Sequence, residues 1–467
     1  MDEAQQGRNP SGVSGLDPEL TDLVGSVMHQ HSVPGLALGL VVPGQELVLG
    51  FGITSAENPL PVDANTIFVA ASITKTVVAT TVMTLVDRGQ LDLDVPIRTY
   101  LPDLRLADED VAAKVSLRHL MTHTAGWAGD EFEEHNFGNG DDALARAVAM
   151  FADRPQVMPL GSVWSYNNSG FWLAGRVIEV VTDKSLETAV TELVFAPLEM
   201  VSSFFFEADA ITRRCAVGHV VGDAGQLAVV RPWSTIRAAH AAGGWLTTIT
   251  DLIAFARFHL GDGRAAGGAR VLSQEALLSM HEPQVPAEGA EFAGIGWVVR
   301  EIGGQRVISH GGDWNGQQSL LTIVPAHGLA VTTLANSALA RAANNAIADW
   351  ALRRHLGATD SEPVPVETTD ERLDALVGRY AVPTAAIEIV RRGSRLGVSY
   401  QPKALPGINN PSLPEMPAAL TTDGRVVVLG GPFQGVTGDF HLGAGQSIDW
   451  IRLGGRVYPR EAASAPV

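Results

Sequence analysis

The 467-residue chain has a single cysteine, Cys215, so no intrachain disulfide is available to it. A chain of this length without a disulfide framework relies on a packed core and fits a reducing compartment. Basic residues are few. Against 51 Asp and Glu stand 33 Lys and Arg, for a formal charge of -18. Phosphate binding needs clustered Lys and Arg, so nucleic acid is excluded as an expected partner, and an anionic membrane surface with it. No run approaches the ~18 apolar residues that cross a bilayer. The first residues, Met1-Asp2-Glu3-Ala4-Gln5, lack the basic start and apolar stretch of a secretory signal, and a cytoplasmic protein is expected. There is no dinucleotide or phosphate-loop glycine pattern and no Gly-x-Ser-x-Gly elbow, so no cofactor and no α/β-hydrolase fold are expected. His119 and His123 have the i, i+4 spacing of a zinc pair, but Leu120 stands where the zinc-protease motif has Glu, and no metal is expected. Cys215 has no His-pairing signal around it and reads as a core residue.

What is present is an ordinary core-forming composition, 46% hydrophobic and 18% charged, long enough for two or three domains. Residues 1–17 read as a polar tail. Leu20–His31 has helical spacing, and Pro34–Gly50 reads as a hairpin turning at Pro43-Gly44. Ser72–Asp87 is helical, with Gly89 as its stop. Residues 96–235 are mostly helical in pattern. After a helix over Thr250–His259 come strand-like runs at Gly294–Arg300, Arg306–Ser309, Ser319–Val324 and Leu329–Leu334, then a helix from Arg341 to His355. Strands flank helices at both ends of residues 18–358. This predicts an α/β fold: an antiparallel sheet flanked by helices, with an all-helical insertion over about 96–235. Residues 359–370 read as a linker. Short strand-like runs between Gly, Pro and Asn turns over 371–460 predict a small all-β barrel domain, and 461–467 a second tail.

Three local patterns carry chemistry. Ser72-Ile73-Thr74-Lys75 heads an amphipathic helix, and residues at i and i+3 share a helix face, so Lys75 can reach Ser72. A serine hydroxyl needs a base to act as a nucleophile, and a lysine amine serves only when burial or nearby positive charge populates its neutral form. Helix N-terminal N–H groups favour the negative charge that develops during attack. The second pattern is Tyr166-Asn167-Asn168, in a polar loop before a helix. A phenol can relay a proton, and an amide can hold a carbonyl. The third is His310-Gly311-Gly312, read as a strand followed by a turn whose glycines let a substrate backbone approach an edge strand. His355-x-Gly357 and His441-x-Gly443 match as well, but Gly357 reads as a helix C-cap and His441 falls in the C-terminal β region.

Ser-x-x-Lys, Tyr-x-Asn and His-x-Gly, in this order and about 90 and about 145 residues apart, resemble the serine β-lactamase and penicillin-binding protein superfamily. Neighbouring text, such as Leu120-Met121-Thr122-His123-Thr124-Ala125-Gly126, resembles its class C subgroup over residues 18–355. The resemblance implies Ser72 as nucleophile, Lys75 as its base and Tyr166 as acid/base partner. It implies that Asn168 orients substrate and that His310 and Gly312 line the site on the edge strand. The oxyanion hole would come from the N–H groups of Ser72 and Asp313. Most β-lactamases have Lys where His310 stands, and a largely neutral histidine is a poor partner for a β-lactam carboxylate. The resemblance therefore points to a serine hydrolase acting on esters, lactones or D-amino-acid amides and peptides. The alternative keeps the acyl-enzyme but passes the acyl group to an amine or alcohol, as penicillin-binding-protein-type thioesterases and peptide cyclases do. A third reading is a silent binding protein on the same fold. The C-terminal β domain is similar to the lipocalin-like domain of D-aminopeptidase-type hydrolases; Arg456 in it reads first as a structural turn or rim arginine, with contact to a substrate carboxylate as the alternative. The expected partner is a small-molecule or peptide substrate, and a homodimer is compatible with all of this.

Overall fold

The computed structural model describes residues 17–128, 136–222, 226–233, 235–358, 363–368, 370–402, 413–431, 433–443 and 448–461. The expected tails, apart from Asp17 and Glu461, lie outside the described residues, as do linker residues 359–362 and 369.

The helices that frame the site are α1 (Pro18–Gln30), α2 (Thr74–Asp87), α3 (Asn168–Thr182), α4 (Ile249–Leu260) and α5 (Arg341–Leu356). Helix α1 begins where the sequence supplies both start signals. Asp17 accepts the Glu19 N–H, and Pro18 takes the first position. The strands are β1 (Gly35–Val42), β2 (Gln45–Gly52), β3 (Val285–Pro286), β4 (Phe292–Ala293), β5 (Val298–Ile302), β6 (Gln305–Trp314), β7 (Gln317–Val324) and β8 (Leu329–Ala335). They form one antiparallel sheet in the order β2-β1-β8-β7-β6-β5-β4-β3. Pairing of β1 with β8, with Leu36 opposite Ala335, joins the two ends of this part of the chain. One face packs on α1 and α5 through Leu20, Val24, Leu38, Ile347 and Trp350. Val77, Phe171, Trp245 and Phe255 belong to the larger core on the other face, where α2, α3 and α4 pack.

Helix α2 is rich in threonine, a modest helix former, yet it is buried along nearly its whole length. Burial is tolerated because each hydroxyl finds a backbone carbonyl. Thr74 bonds Ala71, Thr76 bonds Ile73, Thr80 bonds Thr76, Thr81 bonds Val77 and Thr84 bonds Thr80.

Three expectations need correction. The strand-like run Gly294–Arg300 is extended only from Val298, because Gly296 takes φ 76° and breaks it. The expected turn at His310-Gly311-Gly312 is absent. Strand β6 runs straight through to Trp314, and the reversal comes at Asn315-Gly316, both at positive φ. Nor is β6 an edge strand along its whole length. Gln305–Ser309 pair with β5, while His310–Trp314 have only β7 as a partner, so the edge is confined to the second half.

Two short pairs stand apart, Phe68–Val69 with Leu246–Thr247 and His219–Val221 with Leu227–Val229. The C-terminal strands are β9 (Gly378–Ala381), β10 (Ala385–Arg392), β11 (Arg395–Pro402), β12 (Met416–Leu420), β13 (Val426–Val428), β14 (Thr437–Leu442), β15 (Ile448–Leu453) and β16 (Arg456–Pro459). They pair in sequence order, and a Tyr380–Arg460 bridge brings the last strand back to the first in a near-closed barrel. Alternate side chains such as Ile387, Ile389, Val398 and Ile451 fill its core, to which the short helix α6 (Asp370–Leu376) adds Leu373 and Leu376. Among the described residues, no helix is long and apolar enough to cross a membrane.

Candidate active site

Ser72 sits in a single 3-10 turn, Ala71–Ile73, that leads directly into α2. Ala71 is held at φ 49°, a conformation that strains a residue with a Cβ. Lys75, one turn on, is fully buried. Its Nζ donates to Ser72 Oγ at 3.2 Å and to the Ala242 carbonyl at 2.7 Å. The Ala242 bond fixes the lysine tip beside the serine.

The Tyr166 ring lies over that tip, with Nζ 4.9 Å from its centroid. His123 stacks on Tyr166 at 4.5 Å between centroids. The Asn167 N–H donates to His123 Nδ1 at 3.0 Å, which makes Nδ1 an acceptor and leaves any proton on Nε2. Burial, and then the charge of Lys75, hold the His123 imidazole far below its usual range, so it is neutral. In the sequence His123 stands out only within the Leu120–Gly126 run and by its spacing from His119, which without the Glu of the zinc-protease motif does not mark a metal pair. His119 instead serves a capping box with Ser116. Asn167 caps α3, accepting from the Gly170 N–H, and this cap sets Asn168 on the first turn, facing the same cleft.

Opposite stands β6. Its Gly312 approaches the serine turn so closely that a Cβ there would lie 2.3 Å from the Ala70 carbonyl oxygen and 2.4 Å from Ser319 Oγ. Ser319 in turn donates to the same Ala70 carbonyl at 2.7 Å. His310 donates from Nδ1 to the Gly311 carbonyl at 2.7 Å, and its ring centroid is 6.2 Å from that of Tyr166. Burial, with Lys75 nearby, lowers its pKa to about 4. It therefore stands neutral at pH 7. The Asp313 carboxylate accepts from Gln318 Nε2 at 2.7 Å and lies 3.7 Å from the Arg341 guanidinium.

All seven sequence-predicted positions are thus brought together. Ser72, Tyr166, Asn168, His310, Gly312 and Asp313 line one cleft of about 850 Å³, and Lys75 lies beneath it. Cys215 is elsewhere. Its thiol donates to the Ala210 carbonyl, and burial pushes its pKa up to about 11. Among the described residues no cluster of three or more His, Cys, Asp or Glu could hold a metal ion.

The barrel forms part of the cleft wall. The Tyr166 N–H donates to the Gly455 carbonyl at 2.8 Å, and the Val457 N–H donates to Ser165 Oγ at 3.1 Å. The Arg456 guanidinium stands 5.1 Å from the Tyr166 ring centroid, and that of Arg452 stands 5.3 Å from the Trp164 ring. Arg452 also donates to the Ala287 carbonyl, and the Thr437 hydroxyl donates to the buried carboxylate of Glu288. Burial pushes Glu288 up to about 7. None of these interdomain contacts had a local signature in the sequence.

A family model described as Beta-lactamase matches residues 20–353. The chain is 35% identical over 318 residues to "Penicillin-binding protein 4" of Amycolatopsis lactamdurans, an alignment spanning 67% of this chain and 83% of that protein. Among solved structures, SurE superposes with a TM-score of 0.73 at 25% identity, over 95% of this chain and 98% of that one. A D-amino acid amidase from Ochrobactrum anthropi SV3, complexed with L-phenylalanine amide, superposes with a TM-score of 0.57 at 26% identity, over 68% and 92%.

Proposed function

The chain belongs to the β-lactamase family of serine hydrolases, and we propose that it works through an acyl-Ser72 intermediate on small esters, lactones or D-amino-acid amides. The observation that carries this is Lys75 Nζ at 3.2 Å from Ser72 Oγ, beneath the Tyr166 ring. Ser72 Oγ attacks the carbonyl carbon, and its proton passes to Lys75 as the new C–O bond forms. The N–H groups of Ser72 and Asp313 receive the oxyanion. Tyr166 delivers a proton to the departing nitrogen or oxygen as that bond to carbon breaks, and recovers one from Lys75. Asn168 orients the substrate, and His310 and Gly312 form the wall along which it lies. Water then attacks the ester of Ser72, with the same groups working in reverse.

Amides enter this reading through the amidase likeness. β-Lactams are disfavoured because a neutral His310 offers no permanent cation to their carboxylate. The reading takes residues 18–358 as the reacting domain, with its helical insertion at about 96–235, and 371–460 as the barrel. The protein is read as cytoplasmic, and a homodimer is the oligomer to look for by sedimentation. A second reading, transfer to an amine or alcohol instead of water, is favoured by one observation. The cleft continues past Tyr166 to the barrel, leaving room for an acceptor.

Intact-mass spectrometry after mixing with p-nitrophenyl esters, D-amino-acid amides and a β-lactam tests both. The expected result is an acyl adduct lost in Ser72→Ala, released as free acid or, with an amine present, as its amide. Turnover retained in Ser72→Ala would overturn the proposal.

A further inference from the structure

We propose that the open end of the barrel is a binding subsite for an apolar side chain on the amine or alcohol half of the substrate. This rests on the proposed role of Tyr166. The barrel core receives Leu373 and Leu376 from α6. The cleft that contains Ser72 reaches a different set of barrel residues: Ile387, Tyr400, Phe433, Val436, Leu453 and Tyr458. Ile387, Leu453 and Tyr458 belong to the buried core, while Tyr400, Phe433 and Val436 are half-buried around it. Tyr400 and Phe433 meet edge-to-face at 5.6 Å. These six form an apolar patch shaped by two aromatic rings, bordered by Thr384, Arg425 and Thr437 and continuous with the reacting centre.

Its position decides which half of the substrate it takes. The turn Gly454-Gly455 links the barrel mouth to Tyr166. A Cβ on Gly454 would lie 3.6 Å from the Val436 side chain, and the next carbonyl accepts the Tyr166 N–H. Tyr166 is the group that protonates the departing atom. What leaves, or what arrives in its place, therefore lies on the barrel side of Ser72. The polar atoms of that group stay at the rim, where Arg456 and Thr437 stand, and its side chain enters the mouth. Covering a branched aliphatic or aromatic side chain here gains several-fold in affinity for each methylene group. Small polar leaving groups gain nothing from it.

Binding to the Ser72→Ala protein isolates this claim from turnover. Titration calorimetry should find leucine amide bound at least tenfold more tightly than glycine amide. Val436→Trp, which fills the mouth, should abolish that preference. Phe433→Ala, which widens it, should shift the preference from leucine amide towards tryptophan amide. Thermal melts confirm that each variant is folded. Equal affinities for the two amides, or a leucine preference untouched by both variants, would overturn the subsite. Failure of Ser72 to acylate in the native protein would instead overturn the proposed chemistry and leave this binding result standing.

Discussion

Replacing Glu288 by Gln should stabilise the protein in mild alkali and do nothing in acid. Glu288 lies at the seam between the sheet domain and the barrel and is nearly fully buried. Burial raises its pKa from 4.5 to about 7. Asp439 and Glu291 add like charge, while the Thr437 hydroxyl and the Arg452 charge oppose the shift. The sign follows from proton counts. Between pH 4.5 and 7 the folded state holds a proton that the unfolded state has lost, so stability falls as pH rises through this window. Above pH 7 the loss is complete. A shift of 2.5 units at 1.36 kcal/mol each gives about 3 kcal/mol. Glutamine keeps an oxygen to accept from Thr437 and removes the charge. Urea unfolding of the wild type and Glu288→Gln should therefore agree at pH 4.5 and differ by about 3 kcal/mol at pH 8, with the variant more stable. Two domains need not unfold together, so barrel tryptophan fluorescence should be followed alongside far-UV dichroism. The same difference at both pH values, or a less stable variant at pH 8, would refute the reasoning.

Other perturbations read other parts of the site. Gly312→Ala would drive a methyl group against the Ala70 carbonyl, destabilising by about 1–3 kcal/mol and displacing the Ser72 turn. Acylation rates should fall more than the melting temperature alone explains, as stopped-flow kinetics on the folded variant would record. His310→Lys should restore a permanent cation and raise kcat/KM for acylation by a β-lactam at least tenfold, with no gain on an uncharged ester. Equal changes on both substrates would deny the histidine its part in selectivity. Beneath α2, His259 Nδ1 and His281 Nε2 lie 3.0 Å apart, and burial lowers His281 to about 4. Since its folded pKa is below the unfolded 6.5, its contribution is full above pH 6.5 and is lost as pH falls through 4, about 3 kcal/mol in all. His281→Gln should flatten that part of the acid unfolding curve.

How much of this the sequence could disclose depended on whether a signal was local. The serine and lysine are three residues apart on one helix, and their relation follows from helix geometry alone. The sheet and the barrel were legible because alternation and turn residues mark strands one by one. The partners of Tyr166 were not. Its stacking on His123 and its bond to the Gly455 carbonyl join segments that only tertiary packing brings together. Glu288 carries no local mark of its burial, which depends on a barrel whose first strand, at Gly378, begins about ninety residues later.

Two glycine pairs make the same point. Gly454 and Gly455 have φ of 58° and 79°, so they form the reversal that the sequence suggested between two strand runs. Gly311 and Gly312 looked alike on paper, yet neither takes positive φ, and the strand runs through them. At Gly312 the requirement is space, since β6 must lie against Ala70 and Ala71 for the serine turn to face His310. A glycine needed for a turn and one needed for a close approach carry the same letter, and only the second builds the wall of this cleft.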